Sequence, residues 1–187
     1  MHSRQQFLRG AGLAAAGGSA ALLAACGGGA TTPASPGADG DVAVLNGLLD
    51  IENGAVAAYQ GIAPLLRGPA LAAANLFGDQ EQEHADGLAQ AIRDLGGTPA
   101  KTKAAADYER ALGIDRLGSR REALEFAVEL ENGTVAAYIA TLPKLQSGEL
   151  RGTAAAILTT EAEQMSVLLE TLGEPPVPEA FVTGREA

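Results

Sequence analysis

Cysteine is almost missing from this chain: Cys26 is the one copy among 187 residues. No intrachain disulfide can form, and a Cys-based zinc knuckle is excluded with it. Aromatic residues make up only 4% and tryptophan is absent, so the core cannot be organised around large rings. Positive charge is scarce as well, with 13 Lys+Arg against 23 Asp+Glu and a net charge of −10. That balance works against an electrostatic grip on nucleic acid. The longest apolar run, from Gly10 to Ala25, is too short and too rich in Gly and Ala to make a membrane span of about 20 strongly apolar residues. What remains is a chain of one-domain length with 47% hydrophobic residues, many of them Ala, which suits helices in close contact.

Residues 1–25 read as an export signal, with basic Arg4 and Arg9 ahead of the apolar run. The run ends in Leu23-Ala24-Ala25-Cys26, which resembles the lipobox of bacterial lipoproteins. The resemblance implies that Cys26 is lipidated and becomes the new N-terminus. Ser3-Arg4-Gln5-Gln6-Phe7-Leu8-Arg9 also resembles the twin-arginine export motif, but Gln5 stands where the second Arg belongs, so folded and unfolded export both stay open. Residues 26–40 are Gly-, Pro- and Ser-rich and read as a flexible tether. Loss of the leader removes two Arg and no acid, taking the charge from −10 to −12. A chain so acidic needs lipid to stay at a membrane. The expected location is therefore the cell envelope, in the periplasm or on the outer face of the cytoplasmic membrane.

The domain itself, residues 41–173, is built on a repeat. Ile51-Glu52-Asn53-Gly54-Ala55-Val56-Ala57-Ala58-Tyr59 matches Leu130-Glu131-Asn132-Gly133-Thr134-Val135-Ala136-Ala137-Tyr138 at seven of nine positions. Further on, Glu81-Gln82-Glu83-His84 corresponds to Glu161-Ala162-Glu163-Gln164. Each half carries two apolar stripes of helical period, and each stripe contains one Glu. The stripes run through Leu45, Leu48, Glu52 and Tyr59; Phe77, Glu81, His84 and Leu88; Leu124, Glu131 and Tyr138; and Ile157, Glu161, Gln164 and Leu168. Asp41 is expected to cap the first helix, Pro69 to open the second, and Ser119 with Glu122 to form a capping box for the third. Gly96-Gly97 and Gly173 mark helix ends. The fold predicted is all-α: a four-helix bundle of two antiparallel hairpins, joined by a long crossover over 96–118 with a short helix near Lys103–Leu112. An irregular tail, 174–187, follows.

Four carboxylates in one core need counter-charge, because each uncompensated one costs several kcal/mol. Divalent cations would supply it, and the i, i+3 spacing of Glu81 and His84 aims both at one point. The alternative is that Asp79–His84 is simply a solvated acidic face. On these residues the chain resembles the ferritin-like superfamily, especially the small bacterial domains related to rubrerythrin. The resemblance implies a metal set of Glu52, Glu81, His84, Glu131, Glu161 and Gln164, with Glu52 and His84 on metal one, Glu81 bridging, Glu131 on metal two, and Glu161 bridging or capping. The departure is Gln164, where the superfamily has a second His. Tyr59 and Tyr138 are expected beside the centre, bonding buried Glu. The implied cofactor is iron, two ions or one if the second position fails, with manganese the alternative. Two functions follow as expectations: a lipid-anchored protein oxidising Fe(II) with oxygen or peroxide, or a non-catalytic interaction or stress-related lipoprotein with a degenerate site. The partners implied are the membrane, an unidentified electron donor and, as an open alternative, a second copy of the chain.

Overall fold

The computed structural model describes residues 38–184. The export signal, Cys26 and most of the tether lie outside the described residues. Among the described residues there are five α-helices: α1 Ala38–Ile62, α2 Gly68–Asp94, α3 Ala105–Leu112, α4 Arg120–Thr141 and α5 Gly148–Leu172. No helix among the described residues is long and apolar enough to cross a membrane.

Short connections at 63–67 and 142–147 turn α1 into α2 and α4 into α5, so each pair packs as an antiparallel hairpin. The hairpins meet mainly along α1 and α4, while α2 and α5 touch only sparsely. The crossover spans 95–119 and carries α3, which lies on α1. Ser119 Oγ accepts from Glu122 N at 3.2 Å, and Glu122 Oε2 accepts in return from Gly118 N and the Ser119 hydroxyl, both at 2.9 Å. Pro69 sits in the first turn of α2, and Gly96 and Gly173 take the left-handed conformation that closes α2 and α5.

Asp41 departs from its expected role. α1 already starts at Ala38, and Asp41 lies buried within it, accepting from Gln146 N at 2.7 Å and Ser147 N at 3.3 Å. It therefore braces the turn before α5 instead of capping its own helix, while Ser147 Oγ caps α5 through Glu149 N and Leu150 N. Asp50, for which the sequence suggests no role beyond charge, holds the crossover: it accepts from Lys103 Nζ and from the Tyr108 hydroxyl, both at 2.7 Å.

The repeated glycines also part company. A Cβ added to Gly54 would lie 3.5 Å from the Tyr108 ring, whereas Gly133 has open space where a side chain would go. Only the first hairpin has α3 on it. The second is partly overlain by the tail, whose Pro176, Val177, Phe181 and Val182 face α4 and α5 across a cavity of about 440 Å³ lined also by Val128, Met165 and Leu169.

Apolar packing occurs in two clusters, one at each end of the bundle. The first holds Tyr59, Ile62, Phe77, Leu124 and Leu168; the second holds Leu45, Leu48, Leu88, Tyr138 and Ile157. Along every long helix one Glu falls between its contributions to the two clusters. The four Glu therefore form a single polar layer, enclosed above and below.

Candidate metal centre

Glu52 comes from α1, Glu81 and His84 from α2, Glu131 from α4, and Glu161 and Gln164 from α5. The four Glu side chains are fully buried, Gln164 is nearly so, and the His84 side chain keeps 13% exposure. His84 Nδ1 lies 3.0 Å from Glu161 Oε1, 3.3 Å from Glu81 Oε2 and 3.6 Å from Glu52 Oε2. Those four residues can each offer one ligand atom with all four atoms within 4.8 Å of one another. Glu131 stands beside this group, close enough to Glu161 and Glu81 to feel their charge.

The two tyrosines cross between the hairpins. The Tyr59 hydroxyl donates to Glu131 Oε1, and the Tyr138 hydroxyl donates to Glu52 Oε1. This pairing follows from the repeat: a Tyr two turns beyond its Glu on one helix meets the equivalent Glu of the antiparallel helix. Burial raises both hydroxyl pKa values, and the facing carboxylates add to it, so the phenols remain donors.

The carboxylates respond to the same surroundings. Burial pushes Glu52 up to about 8, helped by the charges of Glu161 and Glu81 and opposed by His84. Burial and then Glu161 hold Glu131 well above the ordinary carboxylate range. For His84 burial acts against the charged form, but Glu161, Glu52 and Glu81 outweigh it and push the imidazole up to about 12. Burial and the crowding of carboxylates thus favour protons on this layer unless a cation takes their place.

Much of the layer has no fixed donor. Glu52 Oε2, Glu81 Oε1, Glu131 Oε2, both Glu161 oxygens and Gln164 Oε1 are buried with no hydrogen-bond partner. Glu161 Oε1 is near His84 but without hydrogen-bond geometry. Native proteins leave few such atoms. Here six acceptors share one layer, and the complement of a set of hard oxygen donors with one imidazole is a divalent cation. The donor set fits the iron or manganese that the resemblance implies.

Gln80, which the sequence does not single out, accepts from Gln164 Nε2 at 3.0 Å across the sparse α2–α5 seam. Its lack of a charge and its place just off the inward stripe gave no signal. Glu83 and Glu163 point to solvent, as their positions suggest.

A family described as ferritin-like domain matches residues 70–174. No curated protein matches the chain. A conserved hypothetical protein of Mycobacterium tuberculosis is similar in structure, with a TM-score of 0.65 at 20% identity over 72% of this chain and 98% of that one. A Bacillus anthracis protein described as ferritin-like and diiron-carboxylate is similar with a TM-score of 0.56 at 26% identity, over 74% of this chain and 99% of that one. The match takes in more than half of the chain, includes Glu81, His84, Glu131 and Glu161, and agrees with the helical bundle: this chain belongs to the ferritin-like domain family.

Proposed function

We propose that this protein is exported, anchored by lipid at Cys26, and holds a carboxylate and histidine metal centre that takes iron and oxidises Fe(II) with oxygen or peroxide. The observation that carries the reading is the layer of buried, unpartnered carboxylate oxygens around His84 Nδ1. The diiron-carboxylate description of the Bacillus anthracis relative supports the choice of metal.

Glu52, Glu81, His84 and Glu161 would hold one ion, and Glu131, Glu161 and Gln164 would face the second. Bound iron supplies a one-electron couple and Lewis acidity at neutral pH. The chain's own part is to shape the layer for it. Tyr138 and Tyr59 fix one oxygen each of Glu52 and Glu131, leaving the Oε2 atoms free. Two apolar clusters keep bulk water from either end. The partly exposed His84 marks the side on which solvent reaches the layer. An open groove of about 420 Å³ between α1 and α2 is lined by Tyr59, Gln60, Asn75 and Asp79.

The test is elemental analysis of the full-length protein, purified without chelator, followed by anaerobic Fe(II) titration and exposure to oxygen. Two ions per chain with Fe(III) formed on oxygenation is the expected result. A folded protein that takes up no metal would sink the proposal and favour an interaction lipoprotein.

A further inference from the structure

Gln164 occupies the place that the repeat gives to its counterpart His84, three residues after a buried Glu and on the same helix face. An amide has a donor end and an acceptor end, and its orientation is chosen by its partners. In a layer of orphan carboxylates the favourable choice would be the NH₂ group turned inward, donating to those oxygens. The structure has the reverse. Nε2 is turned out to Gln80 Oε1 at 3.0 Å, and Oε1 is left buried without a partner. A neutral oxygen buried among carboxyl groups needs a donor or a cation facing it, and a cation that displaces the protons of the layer takes over that role. His84 shows no such clamp: its Nδ1 already faces the layer, within 3.6 Å of Glu161, Glu81 and Glu52.

Building on the proposed metal centre, we infer that Gln80 is a positioning residue: by holding the Gln164 NH₂ outward it presents Gln164 Oε1 as a neutral donor to a second cation on the Glu131–Glu161 side. Gln80 touches no ion itself. It converts a side chain that could have filled the second position with its own N–H groups into one that can serve it. The second ion has weaker ligands than the first and depends on a hydrogen bond that the first does not use.

Mn(II) titration of the full-length protein, read by the electron paramagnetic resonance of the free ion, separates the two positions. Wild type is expected to bind one ion tightly and one weakly. Gln80→Leu should weaken the second ion by about 10- to 100-fold, the usual effect of removing a group that orients a ligand, and leave the first unchanged. Gln80→Glu keeps an acceptor for Gln164 Nε2 and should restore the second ion. Gln164→Leu should lose the second ion, and adding Gln80→Leu to it should change nothing more, because the two act as a unit. Unchanged second-ion affinity in Gln80→Leu, or equal loss of both ions, would overturn the inference. A wild type that binds one ion only would overturn it while sparing the centre; a wild type that binds none would remove both.

Discussion

At the residue scale the dominant fact is the cost of holding four fully buried carboxylates in one layer. In the metal-free chain the layer is kept by protons on Glu52, Glu131 and His84, and metal must displace them. The sign of the pH dependence follows. Glu52 rises from 4.5 unfolded to about 8 folded, so its protonated form stabilises the fold at low pH and that stability is lost between 4.5 and 8. His84 rises from 6.5 to about 12, so its contribution is complete below 6.5 and is lost as pH rises toward 12. Both run the same way. Thermal unfolding of metal-free protein should therefore show Tm falling between pH 5 and 9, while added Mn(II) should stabilise more as pH rises. A metal-free Tm that climbs over that range would contradict this account of the layer. Substitutions sort by direction of the side chain: Glu81→Ala should abolish metal uptake, His84→Ala should weaken it strongly, and solvent-facing Glu83→Ala should do neither, all read by metal content per chain. Equal loss in all three would mean that the inward face is misassigned.

At the scale of elements, the ends of helices carry energy that sequence patterns only half disclose. The box at Ser119 is local, and Ser119→Ala should cost about 1 kcal/mol. Asp41 instead joins two elements far apart in the chain, and Asp41→Ala would strand two backbone N–H groups in the turn before α5. Urea unfolding should show the larger loss there, about 1–3 kcal/mol. The glycines offer a sharper contrast. A Cβ on Gly61 would lie 2.9 Å from Ile114 Cγ2, so Gly61→Ala should destabilise by about 1–3 kcal/mol. A Cβ on Gly133 meets nothing, and Gly133→Ala should stabilise α4 by about 0.5–1 kcal/mol. The repeat suggests that Gly54 and Gly133 do the same work. They do not, because the crossover puts Tyr108 on α1 and leaves the equivalent face of α4 without a helix.

For the whole molecule, the bundle is a symmetric frame with unequal halves. The duplicated Glu positions make the four-part layer, while His84 against Gln164 makes its two ends chemically different. The crossover stiffens the first hairpin through Asn46, Asp50 and Asn53, and the second carries the tail, with Val177 and Phe181 largely exposed. An acidic domain of this kind has no electrostatic reason to remain at a membrane, so the proposed anchor must rest on Cys26. In a bacterial host Cys26→Ser should move the exported protein from the membrane fraction to the soluble one, as read by fractionation and blotting. Retention in the membrane fraction would remove the lipid anchor from the proposal.

The sequence by itself determined the all-α class, the two hairpins and the crossover, since these follow from helical periodicity and a repeat, both local or self-similar signals. It also marked Glu52, Glu81, Glu131 and Glu161, because a charge inside an apolar stripe is visible without coordinates. Only the tertiary structure decided what those residues meet: which Tyr serves which Glu, that Asp41 braces a distant turn, that Asp50 holds the crossover, and that Gln80 turns the Gln164 amide. Each of these depends on the rotation and register of one helix against another. Those are set by the summed fit of many side chains across the interface, and no short stretch of sequence contains that sum.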